Sequence, residues 1–281
     1  MVNIVTDTLS CISSNIAQTY HIPVIPQIIV FGDETYREGI DMDQHTFIER
    51  LKTSRHLPKT AAPPPEMFKQ EFEKMLPNGK PILCIHPSAE MSGTVRSATV
   101  AAQDFPDADI RIIDTRVIGY PLGVMVMLAA KWAAADVSAD EIITRLKGLT
   151  SHCRLYFLVD TLDFLARGGR IGNAAALIGA ILQIKPILML NNGKVDLYKK
   201  ERTYKRAWAH INDRIVEEFP GQGEDYGFLN VMHAGVPEEA EKAATELKKQ
   251  FGLDEVPVIN LPPAIITHSG PGTIAFDFFM R

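Results

Sequence analysis

Apolar and polar positions follow two periods along the first half of the chain. Short β-branched runs at Val2–Thr6, Pro23–Val30, Ile82–His86 and Ile110–Ile113 predict strands, and the 3.6-residue spacing over Gly93–Asp104 and Leu122–Ala134 predicts helices. Strands alternating with helices build a parallel sheet covered on both faces, so this half reads as a three-layer α/β/α domain. Ser138-Ala139-Asp140-Glu141 has the capping-box spacing, and a helix from there to Leu149 closes it.

From Cys153 the pattern changes. Leu155–Val159 reads as a strand, a short helix stops at Gly168-Gly169, and an alanine-rich helix spans Asn173–Gln183. Pro186–Leu190 and Lys194–Tyr198 flank Asn192-Gly193, a pair suited to a type I′ hairpin turn because both central residues need positive φ. Helices over Thr203–Phe219 and Pro237–Phe251 follow, with strands at Phe228–Met232 and near Val256 and Ile274. The expectation is a two-domain α/β protein: residues 1–152 with a parallel sheet, and residues 153–281 with a mixed sheet.

Length agrees with two domains, since 281 residues exceed the usual size of one core. At 46% apolar and 22% charged residues the chain is an ordinary globular one, and 29 basic against 34 acidic residues argue against nucleic acid as a partner. Cys11, Cys84 and Cys153 are far apart and form no C-x-x-C, which suggests neither a disulfide framework nor a zinc site and fits a cytoplasmic location. The N-terminal residues show no basic and apolar leader. Val117–Ala130 is too short to span a bilayer, and Val256–Phe276 is interrupted by Pro257, Pro262, Pro263 and Pro271, so no transmembrane segment is expected. Neither a P-loop nor a dinucleotide fingerprint is present, so no cofactor is expected.

Candidate chemistry collects in a few loops. Ile82 to Thr94 reads as strand, hydroxyl-rich loop and helix start, a geometry in which free N–H groups favour an anion and Ser92 could add its hydroxyl; a helix-capping role for Ser92 or Ser88 is the alternative. Thr60 precedes Pro63-Pro64-Pro65, three prolines that would stiffen its loop, and His268 stands in Thr267 to Gly272, read as a tight turn. Asp7 and Asp114 end strands, where carboxylates act as bases or, more often, cap turns. A hydrolase using Ser92, His268 and Asp114 is a competing reading, although G-x-S-x-G is absent. The apolar stretch between Asn173 and Leu182 reads first as core, but its small residues leave space beside the backbone for a long apolar ligand, and Arg170 ahead of it could meet an acidic partner or phosphate, or form a surface salt bridge.

Taken in order, Ile4-Val5-Thr6-Asp7, Lys59-Thr60-Ala61-Ala62-Pro63, Ser88 to Ala98, Asp114, Gly168-Gly169-Arg170-Ile171, Ile184 to Leu188 and His268 to Gly272 resemble the DegV family of bacterial fatty-acid-binding proteins, nearly end to end. The resemblance implies a carrier rather than an enzyme: a palmitate-like fatty acid with its carboxyl end between two domains and its tail in the second. It further implies that Thr60, Ser92 and His268 hold the carboxylate, with Gly93 and Thr94 as neighbours. Ile171, Ala175, Ile178, Gly179 and Leu182 are the candidate tail lining. By the same likeness Arg170 faces a separate ATP-dependent fatty acid kinase that makes an acyl phosphate; a carrier or sensor without a kinase is the other option. Family members commonly read T-S-Q-P where this chain has Thr60-Ala61-Ala62-Pro63, so its head-group surroundings are less polar.

Overall fold

A computed structural model, describing residues 2–54, 56–177, 184–221 and 227–280, divides the chain into two units. One is Met1–Met42 with Thr60–Ser151; the other is Asp43–Lys59 with His152–Arg281. The chain therefore changes unit after Ser151, beside the division expected after residue 152, but Asp43–Lys59 goes with the second unit.

Strands up to Ser151 are β1 (Asn3–Asp7), β2 (Val24–Ile25), β3 (Ile28–Phe31), β4 (Glu34–Arg37), β5 (Lys59–Ala61), β6 (Ile82–His86) and β7 (Ile110–Asp114). The helices are α1 (Ser14–Thr19), α2 (Gln44–Thr53), α3 (Pro65–Met75), α4 (Thr94–Ala102), α5 (Tyr120–Ala134) and α6 (Ala139–His152), of which α2 lies in the second unit. β2-β1-β6-β7 pair in parallel. Val5, Ile82 and Cys84 pack with Phe68, Phe72, Ala98 and Ala101 of α3 and α4. By strand alternation Ile4, Leu83 and Ile85 point to the opposite face, and α5 packs on β1 and β6, giving the expected three layers.

Two local expectations are corrected, both through proline. The run Pro23–Val30 is not one strand: β2 pairs with β1, Pro26 offers no amide to a ladder, and β3 then joins a separate sheet of order β4-β3-β5. The stiff loop expected of Pro63-Pro64-Pro65 is confined to its first two prolines. Pro65 opens α3, since its missing N–H belongs to a position that has no helical acceptor.

The second unit contains β8 (Cys153–Leu158), β9 (Lys185–Asn191), β10 (Lys194–Glu201), β11 (Leu229–His233), β12 (Val258–Asn260) and β13 (Ile274–Phe279). They form one sheet of order β10-β9-β8-β13-β11-β12, antiparallel except between β11 and β12, so the sheet is mixed as expected. Its further helices are α7 (Asp163–Arg167), α8 (Tyr204–Glu218), α9 (Pro237–Phe251) and α10 (Pro263–Ser269). Ile211 and Ile215 of α8 and Ala240 and Leu247 of α9 bury against Tyr156, Val231, Phe276 and Phe278 on one sheet face. Asn192 and Gly193 close the β9–β10 hairpin with φ of 49° and 79°, the predicted type I′ signature.

The helix expected over Asn173–Gln183 begins instead as a 3₁₀ segment, Gly172–Leu177, pressed onto β10 so closely that a Cβ at Gly172 would overlap the Val195 carbonyl. Asn173 Nδ2 also donates to Asp196 Oδ2 at 3.2 Å. Residues 178–183 lie outside the described residues. α2 is tied to the second unit by Gln44, whose Nε2 donates to the carbonyls of His233 and Leu261 at 2.9 and 3.0 Å. Among the described residues no helix is long and apolar enough to cross a membrane.

Candidate functional site

The carboxyl edge of the parallel sheet carries a buried polar chain. Asp7 ends β1 and caps the 3₁₀ turn Thr8–Ser10 by accepting the Leu9 amide at 3.0 Å. The same carboxylate oxygen accepts from Gln27 Nε2 at 3.1 Å, and its other oxygen faces His86 Nδ1 at 2.7 Å at the end of β6. Gln27 Nε2 also donates to Thr94 Oγ1 at 2.9 Å, and Thr94 Oγ1 is 2.7 Å from Ser92 Oγ. Asp7, His86 and Thr94 are fully buried and Gln27 is 2% exposed, whereas Ser92 is only partly buried at the open end of the chain.

Ser92 also borders the helix start. Gly93 is the N-cap of α4, which has no side-chain cap hydrogen bond, so Ser92 is not the capping residue, although the amide of Thr94 reaches back to Ser92 Oγ at 3.3 Å. Thr60 lies in β5, partly buried. Ala62, two residues on, stands against Gly93, where a Cβ would meet its side chain at 3.4 Å, and Ser97 donates to the Pro63 carbonyl. The Thr60–Pro63 segment and the Ser92–Thr94 loop thus run side by side within the first unit. Asp114 takes the amides of Ala89 and Arg116 at 3.3 and 2.9 Å, which is the turn-capping role.

In the second unit His268 is not on a turn but in the last turn of α10, because Pro263 starts that helix and Gly270, at φ 82°, ends it. The motif glycines now have a physical reason. A Cβ at Gly168 would overlap the His268 imidazole at Nδ1, one at Gly270 would meet the Phe164 ring, and one at Gly272 would overlap the Asp160 carboxylate. α7 and the end of α10 therefore approach as closely as backbone allows, which is why G-G-R-I and G-P-G occur together. Arg170 Nη1 donates to the Gly168 carbonyl at 2.6 Å. Burial, and then the positive Arg170, lower the His268 pKa to about 4, so the imidazole stays neutral at neutral pH and offers one N–H donor and one acceptor. Of the candidate tail residues, Ile171 is buried and Ala175 exposed; Ile178, Gly179 and Leu182 lie outside the described residues.

With this geometry in place, comparison with known proteins is decisive for the family. The sequence profile described as "Uncharacterised protein, DegV family" matches residues 1–281. The chain belongs to the DegV family. A DegV domain-containing protein of Streptomyces coelicolor is 33% identical, covering 97% of this chain and 96% of its own length. Protein DegV of Bacillus subtilis is 32% identical over 96% of both. Among solved structures, a DegV family protein from Thermus thermophilus described by its fatty acid binding superposes with a TM-score of 0.91 at 28% identity, covering 100% of this chain and 99% of that one. The Bacillus subtilis DegV structure, described as a fatty acid binding protein, gives 0.89 at 30% identity with the same coverage.

Sequence reasoning missed Gln27 and His86. Gln27 is a single polar residue inside an apolar run, and its only sequence signal is Pro26 before it, which ends the strand and turns the side chain over to other duties.

Proposed function

We propose that this DegV family protein is a non-catalytic carrier that binds a long-chain, palmitate-like fatty acid and presents it, in the cytoplasm, to a separate ATP-dependent fatty acid kinase. The carboxylate is held by Thr60, Ser92 and His268, with Gly93 and Thr94 beside it. The tail runs along Ile171 and Ala175 and the segment holding Ile178, Gly179 and Leu182, and Arg170 faces the kinase. The observation that carries this reading is whole-length membership of the DegV family together with the fatty acid binding described for the Thermus and Bacillus structures.

Chemistry supports the assignment of roles. Burying about fifteen methylenes at roughly 0.8 kcal/mol each gives an upper limit on the order of 12 kcal/mol, so the tail supplies affinity. Hydrogen bonds to a carboxylate contribute about 1.5–3 kcal/mol each before desolvation and fix which end is which. A neutral His268 adds a donor without placing a buried cation beside the partly buried Arg170.

Native mass spectrometry of the purified protein with lipid extraction tests the reading. A bound fatty acid released on denaturation is the expected result, and Ser92→Ala should fold normally yet hold that acid about tenfold or more weakly. A protein that carries none and binds none on addition is not a fatty acid carrier, and fluorophosphonate labelling lost in Ser92→Ala would indicate a hydrolase instead.

A further inference from the structure

We propose that Gln27, oriented by Asp7, is a positioning residue that forces the Ser92 hydroxyl to donate its proton outward, and so favours a head group that accepts the bond, a carboxylate most strongly. The inference rests on the fatty acid reading and adds to it the origin of head-group choice.

The direction of every bond in the chain follows from donor and acceptor capacity. Asp7 accepts from the Leu9 amide and from Gln27 on one oxygen and faces His86 Nδ1 with the other. A carboxylate that only accepts requires the amide nitrogen of Gln27, not its oxygen, to face it, which settles the amide orientation. The second hydrogen of that same nitrogen is then directed at Thr94 Oγ1. Thr94 is fully buried, and among the described residues the remaining atom within reach of its hydroxyl is Ser92 Oγ, so Thr94 donates there. Ser92 Oγ now accepts twice, from the Thr94 hydroxyl and the Thr94 amide. Both lone pairs are used, and what Ser92 has left is its own proton.

The backbone secures the device. Pro26 ends β2, and the Gln27 amide, released from the ladder, donates to Thr8 Oγ1 at 3.1 Å while Thr8 Oγ1 pairs with the buried Glu38. Gln27 is thereby anchored at both its backbone and its side chain. Gln27 fixes this direction by presenting Thr94 with a donor and no acceptor; an acceptor in its place would take the Thr94 proton, and Thr94 Oγ1 would then accept from Ser92, turning the last proton inward.

Hexadecanoate and hexadecan-1-ol separate the two directions. The acid only accepts, whereas the alcohol can donate to Ser92 or accept from it, so the alcohol is indifferent to a reversal. The wild-type protein should bind the acid at least about tenfold more tightly than the alcohol. Gln27→Glu, whose oxygens take the Thr94 proton, should lower acid affinity about tenfold and leave alcohol affinity within about twofold, whereas Gln27→Met, which offers Thr94 no such acceptor, should keep the wild-type ratio. A loosened fold lowers both alike, so the ratio of the two affinities is the readout, with melting curves confirming folded variants. Equal wild-type affinities, a folded Gln27→Glu that keeps the wild-type ratio, or a folded Gln27→Met that loses it, overturn the inference. A wild-type protein that binds neither ligand overturns the fatty acid reading itself.

Discussion

Gly168 gives the imidazole of His268 a wall made of backbone. Gly168→Ala places a methyl group where Nδ1 now lies, so the ring must shift, and overpacking of this kind costs about 1–3 kcal/mol. The depressed His268 pKa arises mainly from burial, so displacement toward water should return it toward 6.5, a change that an NMR titration of the ring will read; a ring still titrating near about 4 would show that it had not moved. Ser92, Thr60 and His268 were legible as candidates because hydroxyls and an imidazole next to glycines and prolines stand out, and the family resemblance ordered them. Gln27 did not stand out. Its role depends on Asp7, His86 and Thr94, which are 20, 59 and 67 positions away, and no local pattern encodes such an encounter.

At the scale of elements, two helical glycines test packing against propensity. In α6, Gly148 is exposed and a Cβ there meets nothing, so Gly148→Ala should stabilise the protein by about 0.5–1 kcal/mol. In α5, Gly123 has the same propensity deficit, but a Cβ would overlap the Ser10 carbonyl in the turn capped by Asp7. Overpacking then outweighs propensity, and Gly123→Ala should lower the urea midpoint; matching shifts for the two variants would refute this account. Most strands and long helices were readable because their faces are buried with regular period. The missed elements share a physical cause. Pro65 and Pro263 start helices although proline reads as a breaker, and α2 has one fully buried apolar side chain, Phe47, too little to make a stripe.

For the whole molecule, the pH dependence of stability below about pH 8 is set partly by Asp277. Its side chain is fully buried in the second unit's sheet, accepts from Asn230 Nδ2 at 3.1 Å, and has its Oδ1 without a hydrogen-bond partner among the described residues. Burial raises its pKa from 3.8 to about 8. Between those values the folded protein holds a proton that the unfolded chain has released, so stability falls as pH rises through the window and levels off above about 8. The slope from this one group is at most about 1.4 kcal/mol per pH unit, and Asp277→Asn should flatten it in urea unfolding between about pH 5 and pH 8. An unchanged slope in the variant would assign the pH dependence to other groups.

A helix-rich pattern gives way to an antiparallel one near residue 152 and the chain changes unit after Ser151, while the membership of Asp43–Lys59 is decided by distant partners. That segment has a consequence for how the protein is made. Gln44 emerges from the ribosome 189 residues ahead of one carbonyl it serves and 217 ahead of the other. The first unit has all its segments once Ser151 is out, whereas α2 must wait on the nascent chain, its amide solvated by water, until β11 and then Leu261 have been synthesised. The order of translation therefore makes the second unit the later one to fold, although one of its helices is among the first to be translated.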